Sequence, residues 1–243
     1  MDIVYPICKG SKYQDDVELR FSLRSLEQQS WVGDVYLVGH RPAWAINVHH
    51  IPQSDPYLHC KDVNIINKVL RACYERELSE EFLVNSDDQL FLRPIAPEDI
   101  TPMLERETSA STYRVKATTN NWYRRVRETM DWCRANKHPD WILQSHTPYV
   151  VSKHLYPQIM MGIPWARANG FFTHAYFNLT ESRTPPMEPS GYTVRIKAAL
   201  SVSSIRKEVL PDSVFLNFNN NGLSAGMLEW LKERFPKPSR WEA

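Results

Sequence analysis

Residues 81–92 decide the fold of this chain and read Glu81-Phe82-Leu83-Val84-Asn85-Ser86-Asp87-Asp88-Gln89-Leu90-Phe91-Leu92. An apolar run leads to two adjacent aspartates and then to a second apolar run, a pattern typical of a buried strand with an acidic tip. In open α/β sheets, ligands bind beyond the carboxyl ends of the strands. We therefore expect Asp87 and Asp88 to hold a divalent cation, with an acidic β-turn as the alternative interpretation.

The segments before this stretch predict alternating strands and helices. Apolar, β-branched runs predict strands at 3–8, 34–39 and 48–51. A helix is predicted after the first strand, with Leu19, Leu23 and Leu26 on one face, and a second helix is predicted to begin at a cap, Asp62. This alternation predicts an α/β fold with a doubly wound, mostly parallel sheet flanked by helices.

The rest of the chain is less regular and predicts an insertion on an otherwise single domain. Helices are expected at 121–136, at 153–160, through 171–176 and after Ser224. Strands are expected at 109–115, 192–197 and 214–218, and residues 181–191 are polar and rich in proline. We expect one domain over residues 1–243.

Composition narrows the class of protein. The chain has 243 residues, and its hydrophobic fraction of 42% supports a real core. A net charge of +1 gives no global field that would attract a polyanion. The four cysteines form no C-x-x-C pair, which argues against a zinc ribbon or a disulfide framework. No apolar run approaches the ~20 residues of a membrane span, so we expect a cytoplasmic protein.

The usual phosphate-binding signatures are missing from the sequence. It contains neither G-x-x-x-x-G-K-[ST] nor G-x-G-x-x-G, and only 8 glycines in total. A P-loop and a dinucleotide fold are therefore not supported. Phosphate binding would have to depend on a metal ion and on basic side chains. That combination suits nucleotide-sugar enzymes, in which Mn²⁺ or Mg²⁺ neutralises the diphosphate leaving group.

Residue chemistry alone suggests a role for several other side chains. Asn219 lies in a late loop that could close over the metal, and Tyr5, Lys9 and Gly10 follow the first strand, where a base and ribose would bind. His146 stands in a polar segment before a proline, which suits a general base or a phosphate contact, although a lone histidine is often structural.

Four segments resemble the Stealth family, whose members transfer hexose-1-phosphate from nucleotide-sugars. Residues 13–27 resemble the family stretch RDNDELRYSLRSIE, and residues 82–95 are similar to its F-x-Y-x-N-D-D-x-F-x-G-K-P-V segment. Residues 145–149 resemble its histidine-proline motif, and residues 235–242 its FPxPSxFE ending. The four segments occur in the family's order.

The resemblance implies a GT-A-like fold, with residues 1–95 as the nucleotide-sugar-binding half and 96–243 as the acceptor-side half. It implies catalytic roles for His146, Arg167 and Asp88. It places donor contacts, beside those suggested above, at Asp15, Glu18, Arg20, Arg24 and Asn85. For Arg20 and Arg24, four residues apart on one helix, structural ion pairs are the rival interpretation.

Three positions depart from the family pattern. Lys9 replaces an aspartate of the first family motif, Ser86 replaces an asparagine, and Asn220 stands where an acidic residue is usual. These departures leave open whether a sugar-1-phosphate or the bare glycosyl group is transferred.

The acceptor is expected to bind the region between Tyr113 and Arg167, which contains a basic and aromatic segment, residues 113–137. Basic side chains interleaved with aromatic rings can bind phosphates while the rings stack on bases or sugars, although a solvated helix face is the alternative. The expected acceptor contacts are Trp122, Tyr123, Arg124, Arg125 and Arg127. A hydroxyl acceptor on a polyanion is therefore expected, either a polysaccharide or a nucleic acid, and a UDP-sugar is the favoured donor.

Two other functions are compatible with the same sequence. A nucleotidyltransferase acting on a sugar phosphate would use the same acidic strand tip, but the missing glycine-rich loop counts against it. A non-catalytic module that binds carbohydrate or nucleic acid would need neither aspartate for affinity.

Overall fold

Five strands form the larger of two sheets. This computed structural model describes residues 1–9, 13–57, 61–105, 120–165 and 173–243. The five strands are β1 (Asp2–Ile7), β2 (Val35–Gly39), β3 (His49–Ile51), β4 (Glu81–Val84) and β6 (Tyr149–Ser152). Their order is β3-β2-β1-β4-β6, in which the first four strands are parallel and β6 is antiparallel to β4.

Alternate residues of the central strands enter opposite cores. Val4, Phe82 and Val84 pack into the core on one side of the sheet, whereas Ile3 and Leu83 pack into the core on the other side. All five are almost completely buried. A parallel sheet that is covered on both faces needs such continuous apolar strands, which is why these segments could be recognised in the sequence.

Helices cover both faces of this sheet. Helix α1 (Val17–Leu26) packs its leucines on one side. The helices on the other side are α2 (Lys61–Cys73), α3 (Asn121–Ala135), α4 (Leu155–Met161) and α5 (Thr173–Thr180). The chain is thus an α/β domain with a mixed, mostly parallel sheet.

A second sheet of three strands carries the chain's last helices. Its order is β5-β8-β7, where β5 is Gln89–Phe91, β7 is Thr193–Ile196 and β8 is Phe215–Phe218. β8 is antiparallel to β5 and parallel to β7. Helices α6 (Val202–Glu208) and α7 (Ala225–Arg234) complete its core. Since β4 and β5 belong to different sheets, residues 85–88 join the two.

Most of the predicted elements are confirmed, and within the described residues one strand and one α-helix were missed. Strands β1 to β4, β7 and β8 and helices α1 to α4 and α7 lie where the sequence predicted them. Strand β6 was missed because most of its side chains are only partly buried, and α6 because just one of its residues is fully buried. The strand expected at 109–115 and the start of the helix expected through 171–176 lie outside the described residues.

The cap predicted for α2 is wrong. Asp62 does not precede α2 but lies inside its first turn, where its carboxylate pairs with Arg125.

Cys73 and Cys133 are free and buried, whereas Cys8 is free and exposed. Across the described part of the chain, every helix is too short or too polar to cross a bilayer.

Candidate functional site

A cavity of about 590 Å³ opens at the carboxyl ends of β1 and β4. Its wall is formed by the end of β1, the start of α1, the segment before α2, α2 itself, the loop after β4 and the segment from the end of β8. The lining residues are Pro6, Cys8, Glu18, Asp55, Tyr57, Lys61, Asn64, Ile65, Lys68, Ser86, Asp87, Asp88, Phe218, Asn219, Asn220 and Leu223. The cavity therefore draws on both halves of the sequence and lies where ligands bind in open α/β sheets.

Asp87 and Asp88 occupy the centre of a tight turn that hydrogen bonds hold in place. The backbone N–H of Gln89 donates to the carbonyl of Ser86 across the turn, at 3.1 Å. The carbonyl of Asp88 accepts from the side-chain amide of Asn217, at 3.2 Å. The acidic turn that the sequence analysis kept as an alternative is thus present, and it also lines the cavity.

Asn85 and Tyr5 support this turn from inside the core. The side-chain amide of Asn85 donates to the Tyr5 hydroxyl at 3.0 Å and to the Ser22 hydroxyl at 3.3 Å. The Tyr5 ring is completely buried, and burial raises the pKa of its hydroxyl well above the ordinary range. Both residues were expected to contact the donor, but the structure places them beneath the loop and not on the cavity surface.

Burial and nearby negative charge disfavour the ionised form of both carboxyl groups. Burial and then the negative charge of Glu18 raise the pKa of Asp87, while burial and then the charge of Asp87 raise the pKa of Asp88. Glu18 is itself buried and lines the same cavity. A bound cation would reverse this effect, because it favours the ionised carboxylates.

The protein groups that could ligate a metal ion suit a cation that is shared with a substrate better than a cation held by protein ligands alone. Within the described ranges, no group of three or more His, Cys, Asp or Glu side chains is arranged to hold a metal ion. Mg²⁺ and similar cations often take only one or two protein carboxylates and complete their shell with water and substrate phosphates. Asp87 and Asp88 meet that requirement.

Asn219 lines the cavity, but its side-chain oxygen is occupied. That oxygen accepts from the backbone N–H of Asn221 at 3.0 Å and from that of Gly222 at 2.9 Å. An amide oxygen has two lone pairs, so both are used to shape the loop after β8. The structure therefore gives the Asn219 oxygen a role in shaping the loop, and metal binding by Asn219 stays a prediction.

Arg20 and Arg24 lie away from the cavity, on a buried carboxylate. Glu242 accepts from the Arg20 guanidinium at 3.1 Å and from two nitrogens of Arg24 at 2.9 and 2.8 Å. Its side chain is 1% exposed. This geometry matches the rival interpretation, a structural ion-pair cluster, and neither arginine lines the cavity.

The other residues that were expected to contact the nucleotide-sugar lie in different places relative to the cavity. Glu18 lines the cavity. Asp15 is exposed in a 3₁₀ turn, where its carbonyl accepts from the Trp44 indole at 2.8 Å, and Lys9 is exposed at the mouth of β1 without lining the cavity. Gly10 lies outside the described residues.

Lysines on α2 form one wall of the cavity, and they were not among the predicted site residues. Lys61 and Lys68 are seven residues apart and therefore lie on the same helix face. The Lys68 ammonium donates to the carbonyl of Ile7 at 2.7 Å and pairs with Asp55 at 2.7 Å, whereas Lys61 is exposed. The sequence signal that could have identified Lys68 is a lysine at a position of an amphipathic helix where a buried side chain is expected. Lys61 therefore places a positive charge at the cavity wall, whereas the charge of Lys68 is paired with Asp55.

A second cavity of about 220 Å³ adjoins the first. Both are lined by the same four residues: Pro6, Ile65, Ser86 and Asp88. Trp122, His146, Tyr149 and Phe177 contribute rings to the smaller cavity. Asp88 therefore stands at the junction of the two cavities, accessible from both.

His146 is held at this second cavity as a neutral ring. It stacks on Trp122 with 6.4 Å between the ring centroids, and its backbone N–H donates to the Gln144 side chain at 2.9 Å. Burial, followed by the positive charges of Arg195 and Lys197, lowers the pKa of His146 to about 3. A neutral imidazole has a lone pair that can accept a proton, but a pKa of about 3 makes this ring a weak base at physiological pH.

The predicted acceptor residues are only partly brought together. Trp122 lines the smaller cavity. The Tyr123 ring packs against the Trp122 ring with 5.1 Å between the ring centroids. Arg125 pairs with Asp62, and Arg124 donates to the side chain of Asn121. Arg127 does not line either cavity, and the expected catalytic Arg167 lies outside the described residues.

Replacing Asp87 with asparagine is expected to stabilise the metal-free protein at pH 8 by an amount on the order of 1 kcal/mol and to have little effect at pH 4. In the folded protein the raised pKa means that protons are bound more tightly than in the unfolded chain, so ionising Asp87 costs stability between about pH 4 and neutrality. Asparagine avoids that cost.

Thermal unfolding of wild type and Asp87→Asn across this pH range, with a chelator present, measures the difference. Mn²⁺ should then raise the melting temperature of the wild type and not that of the variant. Two parallel pH curves would contradict the electrostatic account of the site.

No known protein-family model and no curated protein matches this chain in sequence.

Proposed function

We propose that this protein is a metal-dependent transferase with a GT-A-like fold, which moves a sugar or a sugar-1-phosphate from a nucleotide-sugar to a hydroxyl acceptor. The observation that carries the proposal is the position of Asp87 and Asp88, whose pKa values are raised, at the carboxyl edge of a parallel sheet where two cavities meet. The resemblance to the Stealth family supports the same conclusion.

The larger cavity would bind the nucleotide diphosphate. Asp87 and Asp88 would hold Mn²⁺ or Mg²⁺, which when bound neutralises the charge that develops on the leaving phosphate. Lys61 contributes positive charge from α2, whereas the charge of Lys68 is paired with Asp55. Tyr57 offers a ring for the rest of the nucleotide, and Asn64 holds the Tyr57 backbone by accepting from its N–H at 3.1 Å and donating to its carbonyl at 3.0 Å.

The smaller cavity would present the acceptor hydroxyl. Its oxygen forms a bond to the anomeric carbon, or to the sugar's phosphorus, and the bond from that atom to the nucleotide's phosphate oxygen breaks. The electron pair leaves with the nucleotide, and the hydroxyl proton passes to His146, which lines the cavity together with Asp88. For this step the pKa of His146 must rise from about 3 toward neutrality when donor and acceptor are bound. Every atom and charge is then accounted for without a further reactant.

The direct test is incubation with a panel of nucleotide-sugars and Mn²⁺, with the released nucleotide identified by chromatography. Release of UDP or GDP would indicate glycosyl transfer, and release of UMP or GMP would indicate sugar-phosphate transfer. Release of pyrophosphate from a nucleoside triphosphate and a sugar phosphate would instead support the nucleotidyltransferase alternative and overturn the proposal.

Cys8 provides a reporter of donor binding that does not depend on turnover. Its thiol is exposed and lines the larger cavity. We expect Mn²⁺ together with the cognate nucleotide to slow alkylation of Cys8 by iodoacetamide about tenfold or more, because the occupied cavity blocks access to the sulfur. Peptide mass spectrometry measures the rate at Cys8 itself.

The buried thiols of Cys73 and Cys133 serve as internal controls in this experiment, since neither should react in the folded protein. The nucleotide without metal should protect less. Equal alkylation of Cys8 with and without ligand would contradict a nucleotide site in this cavity.

A further inference from the structure

The smaller cavity combines aromatic rings with neutral polar groups. Trp122, Tyr149 and Phe177 provide ring surface, and the rings of Tyr149 and Phe177 meet edge to face with 5.7 Å between centroids. Amide and hydroxyl groups come from Gln89, Gln144, Ser145 and Asn217. Mostly apolar pockets with a few convergent polar groups are typical of sites for small neutral ligands.

No lysine or arginine of the described residues lines this cavity. Two arginines pair with other side chains: Arg125 with Asp62, and Arg195 with Glu105 at 3.1 Å and with Glu188 at 3.5 Å. The charged side chains that do line the cavity, Asp62 and Asp88, are both acidic. A phosphate or carboxylate placed here would have no lysine or arginine of the described residues in the lining to contact, and the charges of Arg195 and Lys197 would act on it only from outside the lining.

The size of the cavity also limits the ligand. At about 220 Å³ it is less than half as large as the adjoining cavity, so it suits one ring and not an extended chain. A sugar ring fits the lining, because its C–H face can pack on aromatic side chains while its hydroxyl groups bond to amides.

We infer that the smaller cavity is the acceptor subsite and that it takes one uncharged sugar ring, seated on Trp122, with a hydroxyl directed to the junction at Asp88. This inference depends on the proposed function for the chemistry but not for the binding. It replaces the polyanionic acceptor of the sequence analysis with a neutral one, since the arginines of α3 do not enter the cavity.

The binding test uses a panel of neutral methyl hexosides, the corresponding hexose 6-phosphates and hydroxymethylated single-stranded DNA. Saturation-transfer NMR and competition against the best hexoside report affinity without turnover. We expect the hexosides to bind about tenfold or more tightly than the phosphates, and DNA not to displace them. Tighter binding of the phosphates, or displacement by DNA, would overturn the inference.

The variant Trp122→Ala is expected to weaken the binding of the best hexoside about tenfold or more, because it removes the ring that the sugar packs against. Since Trp122 also packs on Val126 and Met130, Trp122→Phe keeps a ring in place and should weaken binding less. Tyr74→Ala is the matched control, because this ring is 72% exposed and lines neither cavity. Equal affinity in Trp122→Ala and Tyr74→Ala would overturn the inference.

The nucleotide-release assay separates this inference from the proposed function. If hexosides bind and depend on Trp122 while no nucleotide-sugar releases its nucleotide, the proposed function fails and the neutral subsite stands. If nucleotide is released and only anionic acceptors accelerate the release, the proposed function stands and the neutral subsite fails.

Discussion

Replacing Asp88 with asparagine is expected to lower the rate of nucleotide release about a thousandfold, equivalent to roughly 4 kcal/mol of transition-state stabilisation. Asp88 lines both cavities, so its carboxylate can hold the cation while facing the acceptor. Asparagine keeps the shape of the side chain and removes its charge. The measurement is the initial rate at increasing Mn²⁺ concentrations with the cognate donor.

Asp212→Asn is the matched control for this substitution, because Asp212 is exposed in a turn outside both cavities. It should leave the rate unchanged. The Asp88→Asn protein should also melt no lower than wild type in chelator, since the burial that raises the pKa of Asp88 disfavours its charge. A variant that regains the wild-type rate at high Mn²⁺ would show that the carboxylate contributes affinity for the cation and nothing more.

Replacing Glu242 with glutamine is expected to lower the free energy of unfolding by about 3 kcal/mol, because two partly buried guanidinium groups then lose their counter-charge. The Glu242 carboxylate also accepts from the backbone N–H of Ser239 at 2.9 Å and from its hydroxyl at 3.0 Å. Denaturant unfolding at neutral pH measures the loss. Glu233→Gln is the control, since its exposed pair with Arg206 should contribute less than about 1 kcal/mol.

The same carboxylate gives a pH signature of opposite sign to that of Asp87. Burial opposes its ionisation, but the hydrogen bonds from Arg24 and Ser239 dominate and lower the pKa of Glu242 to about 2. Its stabilisation is therefore present above the ordinary pKa of a glutamate and is lost as the pH falls toward 2. Wild type and Glu242→Gln should converge in stability at low pH. A constant difference down to pH 2 would contradict the ion-pair account.

Local patterns predicted the elements that organise the sheet. The apolar runs of β1, β2 and β4 are continuous because both faces of a parallel sheet are buried, and the leucine spacing of α1 is that of a helix packed along one side. The position of Asp87 and Asp88 at the sheet edge followed from the end of one such run. These features are encoded within a few residues of one another.

Long-range partners could not be predicted in the same way. Arg24 and Glu242 are 218 residues apart, so nothing near either of them indicates that they meet. Tyr5 sits in a strand like its neighbours, and only the position of Asn85 beneath the loop shows that its hydroxyl supports the turn. Lys68 was overlooked because a charged residue on a helix is ordinarily placed at the surface.

The loop of residues 85–88 has a consequence for how the protein comes to be active. Asp88 is braced by Asn217, which follows it by 129 residues, and β5 pairs with β8 over a similar separation. Contacts between such distant segments are slow to form, because much loop entropy must be lost first. A nascent chain can therefore expose both aspartates long before it can orient them, and competence should appear only when β8 has been synthesised and docked.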